Sequence, residues 1–213
     1  MTVRLPLAGE SDFATTVGPW TFTREPVITG EAAEMFFGLY SRAFDPMKTH
    51  AAARQVLTRD EFFEHLADPR VDKYVAREAG SEPVGVTTLT KHLDAVPWIS
   101  AEYFAARYPE EWSRNAVYYL GFTLCHPLTR HGGLVRGVQE ESSALASTRF
   151  LEALVQVGIE PLVAEGAVIA YDVCSYNNEV LQLSDRISAV LNRYSAVQVE
   201  VLDTQVYYGV SFR

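Results

Sequence analysis

The stretch AVYYLGFTLCHPLTRHGGLVRG, residues Ala116 to Gly137, decides how the rest of the chain is read. Its first half, Ala116 to Pro127, is apolar almost throughout, the pattern of a buried strand. Its second half is a glycine-bearing turn that opens a long helix, with Leu134, Val138, Leu145, Leu151 and Val155 at helical spacing. Glycine at a strand-to-helix turn lets a ligand approach the backbone closely. The first N–H groups of the helix lack intrahelical partners and carry the positive end of its dipole, so a phosphate suits the place. Arg130 and Arg136 add charge-assisted contacts in that reading. The same residues also read as an ordinary Gly-rich turn, with Arg136 solvated on the helix flank.

The flanking segments supply the other elements. Residues before about Gly18 show no clear period and read as a loose arm. Trp20 to Ile28 alternates as a first strand. Glu31 to Phe44 places Phe36, Phe37, Tyr40 and Phe44 along a helical stripe that Pro46 ends. Thr58, followed by Asp60 and Glu61, caps a short helix with Phe62, Phe63 and Leu66 inward, closed by Asp68-Pro69. Val71 to Glu78 and Pro83 to Leu93 form a hairpin. Asp94 to Asn115 is an inserted loop plus a short helix, and its Trp98, Tyr103, Phe104, Tyr108 and Trp112 either line a cleft or cover a sheet edge. Ala167 to Cys174 is a second continuous apolar strand, Asn177 to Leu191 an amphipathic helix, and Val197, Val199, Val201 and Tyr207 to Phe212 a final strand pair. A hairpin feeding a strand–helix–strand unit predicts an α/β (α+β) fold: one mixed sheet with helices on its faces.

Composition narrows the function classes. The chain has 213 residues, enough for one domain with a sizeable core. Its net charge of −9 weighs against nucleic acid and anionic membranes, both of which need basic surface. Yet no Asp or Glu occurs from Trp112 to Gln139, where Arg114, Arg130, Arg136, His126 and His131 stand. That gap points to a local anion site on an acidic protein. No apolar run approaches the ~20 residues that span a bilayer, and MTVRLPLAGESDF lacks a signal-peptide core, so a cytoplasmic location is expected. Cys125 and Cys174 lack metal-ligand spacing and read as small buried hydrophobes in strands, and no metal is expected.

The order of these elements, with Arg-x-x-Gly between a fourth strand and a long third helix, resembles the GNAT (Gcn5-related N-acetyltransferase) superfamily. Its pyrophosphate loop, Gln/Arg-x-x-Gly-x-Gly/Ala, is matched by Arg130, His131, Gly132, Gly133, Leu134 and Val135, with Val135 where a small residue is usual. Asn177 and the following helix resemble the family's later motif. The resemblance spans roughly residues 20 to 212 and implies a single domain with a mixed, mostly antiparallel sheet and helices on both faces. It implies acetyl- or other acyl-coenzyme A as co-substrate. Pantetheine would lie between the splayed fourth and fifth strands, along Phe122, Leu124 and Cys125, and the pyrophosphate on Arg130 to Val135. The family's acid, a tyrosine in the fourth helix, is replaced by Ser184 in the register set by Asn177.

Acyl transfer needs an unprotonated amine and a proton acceptor near the thioester. His126, at the end of the fourth strand, and Asp172, an acid in the apolar fifth strand, are the candidate bases. The expected activity is transfer of an acyl group from acyl-coenzyme A to a small-molecule amine, by a monomer or homodimer. Two alternatives keep the fold. One is an N-acyl synthase fed by an acyl carrier protein, with the Asp94–Asn115 insertion shaping an acyl tunnel. The other is a non-catalytic ligand-sensing or interaction module.

Overall fold

The computed structural model describes residues 14–17, 20–51, 54, 56–78, 83–125, 162, 165–174, 182–194 and 199–204. Among these residues six strands form one sheet in simple sequential order: β1 (Ala14–Val17), β2 (Trp20–Glu25), β3 (Asp72–Glu78), β4 (Pro83–Thr90), β5 (Val117–Cys125) and β6 (Val168–Ala170). Every neighbouring pair is antiparallel except the last, β5 with β6, which is parallel. The sheet is thus mixed and mostly antiparallel, as the sequence predicts.

Two apolar layers sandwich it, and the strand alternation explains how. On β3, Tyr74 and Ala76 join one cluster with Trp20, Phe22, Leu89 and Leu120, and Val75 points into the other. The second cluster takes α1 (Gly30–Phe44) and α3 (Arg59–Ala67), with the one-turn α2 (Met47–His50) between them. The first takes Ile187 of α6 (Leu183–Tyr194), so helices cover both faces. The insertion folds as a 3₁₀ turn (Leu93–Ala95) followed by α4 (Ala101–Arg107) and α5 (Pro109–Ser113).

Local chemistry sets the helix ends. Gly30 opens α1 at φ +62°, a backbone conformation that side chains with a Cβ rarely adopt. Thr58 and Glu61 form a reciprocal capping box at the start of α3. At the far end, the buried Lys73 ammonium donates to the Asp68 carbonyl at 2.5 Å and the Pro26 carbonyl at 2.8 Å. Ile28 N–H donates to Leu66 O at 2.9 Å, so the β2–α1 connection is fastened to the end of α3.

Three expectations change. Ala14–Val17, read as loose arm, pairs with β2 in a tight hairpin, Val17 facing Trp20. The short Thr-rich run is β-prone but too brief to show a period. The strand expected over Ala167 to Cys174 shortens to Val168–Ala170, and Asp172 lies beyond its end. Residues 199–204 form no strand. Tyr103 Oη donates to Leu202 O at 2.8 Å, and Glu200 accepts from Arg107 and Tyr108 at 2.7 and 2.8 Å. Side chains of the insertion hold this segment in place of a ladder, and Val199 and Val201 are exposed.

Candidate functional site

The site begins where β5 and β6 part. Their pairing runs Val117–Val168, Tyr118–Ile169, Tyr119–Ala170 and stops. β5 continues to Cys125, whereas residues 171–174 are outside any strand. From Leu120 to Leu124 the β6-side edge of β5 therefore has no strand partner among the described residues. The end of the β5–β6 ladder, past Tyr119 and Ala170, is the wedge.

A bulge on the other edge of β5 shapes one wall. Thr87 pairs with Thr123 but Leu89 with Leu120, so Thr88 faces two residues, Gly121 and Phe122. Strict alternation would put Tyr119 and Phe122 on opposite faces. The extra residue brings them to the same one, where Phe122 packs with α1 and α3 and Tyr119 packs with the insertion. Only glycine fits at the bulge, because a Cβ on Gly121 would lie 2.4 Å from Thr88 Oγ1. That hydroxyl is itself buried without a hydrogen-bond partner.

Above this wall runs a row of rings. His65 of α3 lies 5.6 Å from Phe122 and 5.8 Å from Trp98, and Trp98 lies 6.3 Å from Tyr119. Trp98 Nε1–H donates to Tyr119 Oη at 2.8 Å, and Tyr119 Oη–H donates in turn to Asp172 Oδ1 in a short hydrogen bond. Burial, reinforced by the Asp172 charge, raises the Tyr119 phenol far above its ordinary range. The phenol therefore stays protonated at any physiological pH and holds the carboxylate as a donor. Asp172 is exposed at the mouth of the wedge.

Of the residues singled out in the sequence, Phe122 and Leu124 are buried toward α1 and α3, and Cys125 is half-buried at the end of β5. Cys174 is half-buried past the end of β6, its thiol 3.2 Å from Met47 Sδ. Asp172 meets the wedge through Tyr119. His126, Arg130, His131, Gly132, Gly133, Leu134, Val135 and Asn177 lie outside the described residues. Sequence reasoning passed over Tyr119 and His65. Trp98 was among the aromatics noted, but its tie to Tyr119 joins positions 21 apart in sequence, a pairing that no local pattern encodes. Among the described residues no group of three or more His, Cys, Asp or Glu could hold a metal ion, and no helix is long and apolar enough to cross a membrane.

His65 makes a pH prediction. Burial, helped by the Lys73 charge, pushes its imidazole down to about 4. A folded value below the unfolded one means that the unfolded chain binds the proton first, so stability falls as pH drops from about 6.5 toward 4. Between pH 7 and 5 the loss from this group is about 2 kcal/mol. Urea unfolding of the parent and of His65→Phe at both pH values should show this extra loss only in the parent. Equal slopes would contradict the buried neutral histidine.

Compared with known proteins, the chain matches no family model and no curated protein.

Proposed function

We propose that the protein transfers an acyl group, acetyl or longer, from acyl-coenzyme A to a small-molecule amine. The wedge between β5 and β6 is the observation that carries this reading. An extended pantetheine arm carries amides that can pair with a free strand edge, as peptides do when they add to a sheet. The β6-side edge of β5 from Leu120 to Leu124, which pairs with no strand among the described residues, offers such a surface. The Gly-rich turn from Arg130 follows directly in sequence and would receive the pyrophosphate.

In this reading the amine nitrogen attacks the thioester carbonyl, the tetrahedral intermediate collapses with loss of the C–S bond, and the thiolate leaves. Asp172, or His126 just past the end of β5, accepts the proton that the nitrogen sheds. The thiolate takes a proton from water, since Ser184 on α6 stands where the resembling family has a tyrosine. That same replacement favours a second reading, a sensing module that binds coenzyme A esters without turnover.

Thermal unfolding with acetyl-, propionyl- and longer acyl-coenzyme A tests the claim. A ligand present at a hundred times its Kd stabilises the folded state by about 2.7 kcal/mol, which for a chain of this size raises Tm by about 5–10 °C. Arg130→Ala should remove most of the shift. No shift with any ester would end the coenzyme A reading. A shift without turnover across a broad amine panel would select the sensing module.

A further inference from the structure

We propose that the cavity enclosed by the turn after β4, α5 and the start of β5 binds a small carboxylate with a flat apolar body, its charge met by Lys91 and its ring by Trp112. The site stands at the end of β5 opposite Cys125 and does not depend on the acyltransfer reading.

The cavity measures about 300 Å³, at the lower end of the range for small-ligand pockets. Its apolar lining includes Leu93 and Val117, each 2 % exposed. Backbone hydrogen bonds fix the walls. On one side His92 N–H donates to Thr90 Oγ1 at 2.9 Å, that hydroxyl donates to Arg70 O at 2.7 Å, and Ala95 N–H donates to His92 O at 2.9 Å. On the other side α5 ends in a Schellman cap, with Ala116 N–H donating to Glu111 O and Asn115 N–H to Trp112 O, both at 2.9 Å. The cap needs a left-handed residue, and Asn115 takes that conformation at φ +57°. Glycine would suit the backbone there; asparagine adds a carboxamide to the cavity lining. Walls held in this way need little ordering when a ligand arrives.

Charge decides the ligand class. Lys91 lines the cavity half-buried, and its ammonium has no ion pair or hydrogen bond among the described residues. A cation partly withdrawn from water attracts an anion more strongly than one on open surface. Asp94 also lines the cavity, but it arrives with a counter-ion: its Oδ2 accepts from Arg70 Nη1 at 2.9 Å, while the other arginine nitrogens hold Asp68. The Asn115 carboxamide and the exposed His92 imidazole supply further donors of the kind a carboxylate accepts. One unpaired lysine matches a monoanion, whereas a phosphate dianion would keep an uncompensated charge. Trp112 is 39 % exposed and gives the anion's apolar body a flat surface, with Leu93 and Val117 beneath.

Benzoate and benzamide differ by one charge on the same ring, and calorimetric titration into the full chain compares them. Benzoate should bind saturably and about tenfold tighter than benzamide, a gap of the size a charge-assisted contact supplies. Lys91→Met should erase that preference, with Lys91→Gln as a second neutral replacement, and Lys91→Arg should keep it. Trp112→Leu should weaken both probes severalfold and leave benzoate ahead. Circular dichroism melting of each variant, recorded alongside, should match the parent. Equal affinities, a preference retained in both neutral Lys91 variants, tighter binding of benzylamine than of benzoate, or no saturable binding would overturn the proposal. A preference that survives both neutral replacements would place the anion elsewhere on the chain.

Discussion

Phe62→Ala is expected to remove about 4 kcal/mol from the stability of the folded chain, within the range for deleting a fully buried phenylalanine. Phe62 is wholly inaccessible, and its ring centroid lies 4.8 Å from Tyr40, 5.3 Å from Phe122, 5.5 Å from Phe37 and 6.3 Å from Phe63. It touches α1, its own helix and β5 together. The cavity left by alanine cannot collapse without moving one of the three. Urea unfolding followed by circular dichroism should show the midpoint falling with the slope unchanged. A loss below about 1.5 kcal/mol would mean that the cluster repacks freely, contrary to the account given for this layer.

The second large effect sits on the bulge. Gly121→Val is expected to cost about 3 kcal/mol, at the upper end for forcing extra atoms into a packed interior. In an ordinary strand, replacing glycine by a β-branched residue stabilises, by about 1 kcal/mol at most. Here the first added carbon lands 2.4 Å from Thr88 Oγ1, on a short, stiff side chain that is itself buried. The repulsion decides the sign. With Thr88→Ala as background the nearest atom becomes the Cβ at position 88, 3.7 Å away, an ordinary contact. Gly121→Val should then cost about 1 kcal/mol or less, giving a coupling energy of about 2 kcal/mol in the double-mutant cycle. Additive costs would show that the clash with Thr88 is not what requires glycine.

Local signals made much of the fold legible. The Thr58 and Glu61 capping box, the Phe36 and Tyr40 spacing on α1 and the β3–β4 hairpin each rest on residues a few positions apart, and each forms where the pattern places it. What escaped depends on distance or on a single residue's context. His65 lies three positions from Phe62 and so shares its helix face, but a polar ring there reads as solvent-facing until the packing of Trp98 and Phe122 is known. Gly121 in a strand announces neither a bulge nor its partner. Asp172 was noticed as an acid among apolar residues, but its reason, the Tyr119 phenol, stands 53 residues earlier. The alternation of Val199 and Val201 promised a strand that residues 199–204 do not form, and its expected partner, Tyr207 to Phe212, lies outside the described residues. The Arg130–Val135 loop remains a reading of the sequence.

The parallel pairing of β5 with β6 also bears on how the molecule assembles. The other five strands join through antiparallel neighbours in chain order, and two of their four pairings, β1 with β2 and β3 with β4, have short connections. Val117 and Val168 stand about fifty residues apart, and closing such a loop carries an entropy cost that only three residue pairs offset. Contacts of that kind form late in folding and come undone first in the native state. The last clasp to close is therefore the same one that defines the wedge. A ligand bridging β5 and the chain beyond β6 would complete the assembly of the sheet as it binds, and slow the opening of that corner to hydrogen exchange.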